Sequence, residues 1–527
     1  MSRNIHRITF LLLLLTGVSL SAQTPMAAPS DLDSYVKRVM EDFEVPGISV
    51  ALVKDGQVLA ARGYGVRRLG EAATVDAQTL FAIASNTKAF TATALGLLVE
   101  EDKLDWDAPV VNYLPAFALW DPYVTREITV RDLLVHRSGL GLGAGDLLWW
   151  PTSTYDRPEI VRRLRFIRPA TSFRSHYAYD NVLYLAAGEV VQAVSGASWE
   201  DFIASRIFRP VGITTSTVRG LPQGSQGNIA RPHARIDGTV RPIAPFVHDN
   251  TNPAGGINSN AQDMAKWLLV QLGEGELPDG SRLFSENTAR QLTTLVTPMP
   301  VSSPPAELAA LRTDFRGYAL GFNVLQYRGH KLVTHTGVLP GYVSRVAMIP
   351  DLELGVAVLT NQESEAAHGA IAWHVLDQYI EAPAVDWIAG YKKLRAREES
   401  EDKSKEQKQA ASRNASSRPS LPLGNYAGTY TDAWYGDITL TLEDGSLVIR
   451  FSRTPALVGD LVHWQYDTFL ARWRDRELRA DAFVTFALDP DGTVDQVKMK
   501  AVSPATDFSF DFHDLLLKPA STRTKSP

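Results

Sequence analysis

Ser85 and Lys88 stand three residues apart in "FAIASNTKAF" (Phe81 to Phe90), inside a run that is otherwise mostly apolar. Residues i and i+3 share a helix face, so the lysine amine can approach the serine hydroxyl. Burial and the field at a helix N-terminus both favour the neutral amine. Lys88 then has the character of a base and Ser85 that of an activated nucleophile. The same spacing also fits a serine opening a helix beside a lysine whose stem snorkels to water. Two further copies, Ser34–Lys37 and Ser400–Lys403, show how little the spacing says alone. One opens an amphipathic segment and the other lies in a charged stretch. Only Ser85–Lys88 begins an apolar helix.

Two distant clusters add to this pair. "SFRSHYAYDNVLYLAAGEVV" contains Tyr179 and Asn181 just before a second apolar helix. A phenol whose pKa a nearby lysine lowers can take a serine's proton, and an asparagine amide can orient a substrate amide. Taken by itself, the tripeptide reads as a packed tyrosine and a capping asparagine. "VTHTGVLPGY" places His335, Thr336 and Gly337 on a strand. Gly337 has no side chain, so a substrate backbone can lie along that edge. The N–H of Val338, with that of Ser85, can form an oxyanion hole. A lone His335 reads as a surface or hydrogen-bonded histidine.

The elements that must hold these residues are legible in outline. "ISVALVKDGQVLAARGYG" (Ile48 to Gly65) predicts a hairpin turning at Asp55-Gly56. "LFAIASNTKAFTATALGLLVEEDKL" predicts a long helix buried all round, and His330 to Asn361 predicts strands again. Strands at both ends with helices between imply an α+β domain over residues 30–392, whose sheet joins distant parts of the chain. Residues 393–420 turn charged and then serine-rich, which reads as a linker or a frayed extension of the helix before it. From Leu421 to residue 519, apolar and polar residues alternate, with turns at Asp444-Gly445 and Asp491-Gly492. That pattern predicts a small β-barrel or sandwich.

Composition narrows the function. The 527 residues are 45% hydrophobic and 21% charged, with a net charge of −6, so a large core is expected and a nucleic-acid partner is not. Cysteine is absent, which removes disulfides, thiolate nucleophiles and cysteine-ligated zinc. His368 and His374 lack an H-E-x-x-H arrangement, so no metal or other cofactor is expected. Residues 1–22 combine a charged head, an apolar segment and a small-residue exit, the layout of a secretory signal peptide. A periplasmic or secreted protein with no stable membrane span follows as an expectation, and oligomerisation stays open.

In this order and spacing, the three clusters resemble the serine β-lactamase and penicillin-binding-protein superfamily, and most closely its class C-like branch. "ITVRDLLVHRSGL", "IFRPVGITTST", "AGGINSNAQDMAKWL" and "GVAVLTN" are similar to recurring segments of that branch. The tail resembles the lipocalin-like domain that follows this hydrolase domain in peptidase-like members. The resemblance implies that Ser85 is acylated, that Lys88 and Tyr179 share base and acid duties, and that Asn181 contacts substrate. His335 would stand where β-lactamases of this class carry a lysine, and a neutral imidazole attracts a carboxylate less strongly. Asp180 and the stretch "RPATSFRSHYAYDN" depart from the family pattern, and the latter brings Phe173, Arg174 and His176 towards the site. Arg174 is then either a carboxylate anchor or part of an ion pair within the loop. "SGLGLGAG" (Ser138 to Gly145) reads as a flexible loop near the site. The expected activity is that of a peptidase, D-aminopeptidase- or D,D-peptidase-like, on small peptides or amides, cell-wall-derived ones among them. An esterase, a weak β-lactamase and a slowly acylated penicillin-binding or sensor protein are the alternatives.

Overall fold

The computed structural model describes residues 27–220, 227–247 and 249–520. The signal peptide expected over residues 1–22 lies outside them. Strands β1 (Gly47–Lys54) and β2 (Gln57–Gly65) form the expected hairpin. Its two turn residues, Asp55 and Gly56, have φ of +48° and +70°, the positive pair that a right-twisted two-residue turn requires. Six strands from much later in the chain complete the sheet: β3 (Thr297–Pro298), β4 (Arg316–Tyr318), β5 (Asn323–Tyr327), β6 (His330–Leu339), β7 (Tyr342–Ile349) and β8 (Leu354–Thr360). The antiparallel order is β2-β1-β8-β7-β6-β5-β4-β3, with Val50 opposite Val358 and Ala51 opposite Ala357.

The helices that frame this sheet are α1 (Leu32–Phe43), α2 (Thr87–Glu100), α3 (Val182–Ser195), α4 (Ala261–Leu272), α5 (Glu365–Tyr379) and α6 (Trp387–Ala411). Strand side chains alternate between faces. Val50, Leu52, Val356 and Val358 pack with α1 and α5, while Ala51, Val53, Ala357 and Leu359 join the core that holds α2, α3 and α4. Both faces are covered, which is why β1 and β8 are apolar but for Ser49, Lys54 and Thr360. Helix α2 is buried almost all round, as its composition predicts.

Residues 393–420, read as a linker or a frayed extension of the preceding helix, continue that helix as far as Ala411. Trp387 and Ile388 anchor the first turn of α6 in the core. Beyond them the exposed helix is laced by Arg395–Glu399 and Arg397–Glu401 pairs, each at 2.9 Å. Apolar periodicity is missing there because the helix faces water, not because it is absent.

The C-terminal unit is an antiparallel barrel of β9 (Gly428–Asp432), β10 (Gly436–Glu443), β11 (Ser446–Phe451), β12 (Val458–Gln465), β13 (Thr468–Trp473), β14 (Ala482–Leu488), β15 (Val494–Ala501) and β16 (Lys518–Pro519). The order is β15-β14-β13-β12-β11-β10-β9-β16. Reciprocal backbone bonds between Val497 and Leu517 (2.8 and 3.1 Å) nearly close the ring. The barrel docks on the helical half of the first domain. Arg163 donates to the Trp434 carbonyl (2.7 Å), and Arg479 pairs with Glu363 (2.6 Å).

Candidate active site

A short ladder, Phe81-Ala82 on Asn258-Ser259, leads the chain into a tight turn at Ala84–Asn86 that opens α2. Ala84 has φ +48°, a strained left-handed backbone directly before Ser85. Ser344 of β7 holds this turn by donating to the Ile83 carbonyl (2.7 Å) and accepting from the Asn86 amide (2.7 Å). Ser85 is thereby half-exposed at the helix N-terminus.

Lys88 is fully buried one turn later. Its Nζ donates to Ser85 Oγ (3.0 Å), Asn181 Oδ1 (2.8 Å) and the Ala254 carbonyl (3.0 Å). Burial lowers its pKa to about 7, against the opposing pull of Asp146 and Asp180. The snorkelling alternative is thus excluded: this lysine has no route to water and is poised between its charged and neutral forms.

Tyr179 lies with its ring centroid 4.9 Å from Lys88 Nζ. Burial holds its phenol well above the ordinary range, although a hydrogen bond with Ser85 pulls the other way. The lowered phenol expected from a neighbouring lysine is not found, because desolvation outweighs the Ser85 hydrogen bond. Asp180 is buried beside His136, and burial raises its carboxyl to about 7.

His335 is buried beneath β6. Its Nδ1–H donates to the Thr336 carbonyl (2.6 Å), which leaves Nε2 to accept from the Tyr318 hydroxyl (2.8 Å). Burial, with Lys88 nearby, lowers its pKa to about 3, so the ring is neutral. Thr336 and Val338 line the same cavity as Ser85, with His335. Val338 faces Val343 across the β6–β7 ladder, one step from the two-residue turn at Pro340-Gly341. In that alternation its N–H points away from β7. Gly337 sits against the turn that carries Ser85, where a Cβ would lie 2.1 Å from the Ile83 carbonyl and 2.9 Å from Ser85 N. Gly337→Ala should therefore push β6 away from Ser85 and lower kcat/KM by about 10²-fold, since ångström-scale misplacement is that costly. Steady-state kinetics beside a thermal unfolding curve would check this, a pure loss of fold being the competing outcome.

Asp146 was not singled out by sequence. It is fully buried, and its Oδ2 accepts from the Asn181 amide (2.8 Å) and from the Ser509 hydroxyl (2.9 Å), its Oδ1 from Trp149 Nε1 (2.9 Å). The carboxylate fixes which way the Asn181 amide faces, and so presents Oδ1 to Lys88. Burial raises Asp146 to about 7. In Asp146→Asn, either amide orientation sets one donor against another, at about 1–3 kcal/mol. Removing the carboxylate also lowers the Lys88 pKa, so the rising limb of the pH–rate profile should move to lower pH. A pH titration of kcat/KM would read that shift; an unmoved limb would remove Asp146 from the base's environment.

Ser509 comes from the barrel. The loop after β15 reaches into the site, where Asp511 accepts from the backbone N–H groups of Gly145 (2.7 Å) and Leu147 (3.0 Å). Phe508 stands edge-on to Tyr179 with centroids 6.1 Å apart, and a Cβ on Gly143 would meet its ring at 2.7 Å. The stretch read as a flexible loop is thus clamped from the second domain. Arg174 is not at the site: its Nε donates to the buried Asp132 carboxylate (3.1 Å), so the anchor reading falls and the ion pair reaches out of the loop to the Arg131–Leu134 turn. The completed cavity has a volume of about 470 Å³ and also takes in Trp149, Trp150, Tyr177, Arg316 and Arg345.

Known proteins share this arrangement of domains. The Beta-lactamase family model matches residues 32–380, and a domain of unknown function, DUF3471, matches residues 412–519. The chain is 29% identical over 501 residues to unguisins hydrolase ungD' of Aspergillus campestris, covering 89% of this chain and 88% of the relative. Among solved structures, the octameric penicillin-binding protein homologue from Pyrococcus abyssi superposes with a TM-score of 0.59 at 21% identity, covering 93% of this chain and 99% of that one. SurE with D-Leu follows at 0.51 and 19%, covering 93% and 98%. The family match spans more than half of the chain: it belongs to the serine β-lactamase and penicillin-binding-protein superfamily of hydrolases.

Proposed function

We propose that the protein is an exported serine hydrolase that cleaves amides, chiefly of small peptides, through an acyl-enzyme on Ser85. The observation that carries this reading is the 3.0 Å contact between Ser85 Oγ and a fully buried lysine whose pKa is lowered to about 7. The substrate carbonyl binds between the N–H groups of Ser85 and Val338. Neutral Lys88 takes the Ser85 proton as Oγ attacks, giving a tetrahedral oxyanion. The carbonyl reforms as the C–N bond breaks, and Tyr179, held protonated by burial, gives the leaving nitrogen its proton. Water then adds to the ester carbonyl and gives one proton to the Tyr179 phenolate; as the acyl C–O bond breaks, Lys88 returns its proton to Ser85 Oγ, which restores all three groups. Asn181 orients the substrate amide.

A peptide is favoured over a β-lactam because His335 is neutral where the family's lysine would attract a carboxylate. The relative named as a hydrolase matches across both domains and supports hydrolysis, and SurE, solved with D-Leu, supports a substrate that carries a D-residue. A panel of simple esters, D-aminoacyl anilides and a chromogenic cephalosporin tests the assignment, with the anilides expected to turn over fastest. Serine labelling without turnover of any of them would instead identify a slowly acylated binding protein.

A further inference from the structure

The Ser85 cavity does not end at Val338. A second cavity of about 520 Å³ lies between the first domain and the barrel, and Trp150, Val338, Leu339, Glu365 and Asp507 line both. Strand β6 runs from one to the other. Strand β5 pairs with it only up to Thr334, opposite Asn323, whereas β7 pairs with it through Leu339. The β5 side of β6 is therefore unpaired from His335 to Leu339. Along it the backbone N–H groups of Thr336 and Val338 have no backbone acceptor among the described residues. An unpaired edge is a template for an extended chain. This one spans about 13 Å, the reach of roughly four extended residues.

The second cavity suits uncharged side chains. Trp150, Ile243, Phe246, Leu478 and Phe510 form its walls. Of its five carboxylates, Glu363 pairs with Arg479 (2.6 Å) and Glu477 with Arg241 (3.1 Å). Asp475 and Asp507 accept from the backbone N–H groups of Glu477 (3.0 Å) and Ser509 (2.8 Å), and Glu365 stands where the two cavities meet. Resting on the acyl-serine reading above, we infer that the interdomain cavity is a substrate subsite: a peptide lying along this edge continues past Val338 into it and seats there the residues on one side of the scissile bond. The barrel is then part of the substrate site and sets a preference for peptides long enough to reach it. Single-residue derivatives fill the Ser85 cavity alone.

Ala456 and Ala505 line the second cavity from the barrel side and not the first. Tryptophan at either position fills it from a partly exposed site. The readout is the concentration of peptide that halves the rate of fluorophosphonate labelling, for an apolar hexapeptide and an apolar dipeptide, on wild type, Ala456→Trp and Ala505→Trp. In wild type the hexapeptide should protect at lower concentration than the dipeptide. Each variant should shrink that advantage by about tenfold, the worth of one displaced apolar contact. Equal protection by both peptides in wild type, or an advantage that survives in both variants, would overturn the inference. Labelling that persists in Ser85→Ala would instead overturn the reading it rests on. Thermal unfolding of each variant separates a filled cavity from a lost fold.

Discussion

Ser85→Ala should lower turnover of every cleaved substrate by about 10⁴-fold or more, the scale seen when an activated serine is removed. The substitution deletes one half-exposed hydroxyl at a helix start. Lys88 keeps its bonds to Asn181 and the Ala254 carbonyl, so the fold should survive. The residual rate would come from the oxyanion donors and substrate binding alone. Unchanged circular dichroism beside the lost rate would make the effect chemical. A variant that retains a tenth of wild-type turnover would mean that Ser85 is not the nucleophile.

Lys88→Met should cost about 10³-fold, within the range for removing a positioned base. Methionine fills a similar volume without a charge, so the loss isolates the amine. The pH profile gives the sharper reading. Burial disfavours the ammonium, so wild-type kcat/KM should be low below pH 7, where Lys88 holds its proton, and rise as the proton leaves. That limb belongs to a cluster, because burial also raises Asp146 and Asp180 to about 7. In Lys88→Met the limb should vanish along with the rate. Lys88→Arg should fare no better, since a guanidinium stays charged at every accessible pH and would be buried without a carboxylate in contact. A limb that persists in Lys88→Met would transfer the base's role to another group of the cluster.

How much of this was legible depended on whether the signal is local. Asp-Gly pairs marked the hairpins at Asp55 and Asp444 because two consecutive positive φ angles almost demand them. The apolar setting of Lys88 marked its burial. Alternation after Leu421 marked the barrel. The contacts that were not legible join residues far apart in sequence: Asp146 meets Ser509, and Asp511 meets Gly145. Glycines at 139, 141, 143 and 145 read as looseness, yet Gly143 lets Phe508 of the barrel loop pack against this stretch, while Gly139, Gly141 and Gly145 abut first-domain residues such as Thr171, Ala170 and Ile167. Arg174 was ambiguous because its partner, Asp132, is buried in a turn that nothing in the local sequence marks as acidic and inaccessible. Charge without periodicity left the extent of α6 open, since past Leu394 the helix has no apolar stripe to read.

Peptide mapping of the fluorophosphonate adduct by mass spectrometry tests the central claim most directly. Two other serines approach the same machinery, Ser509 on the barrel loop and Ser344 under the nucleophile turn, so the site of modification discriminates. The expected result is a single adduct on Ser85, formed faster as pH rises through 7 and absent from Ser85→Ala. An adduct on Ser509 or Ser344, or labelling of Ser85→Ala at the wild-type rate, would contradict the account.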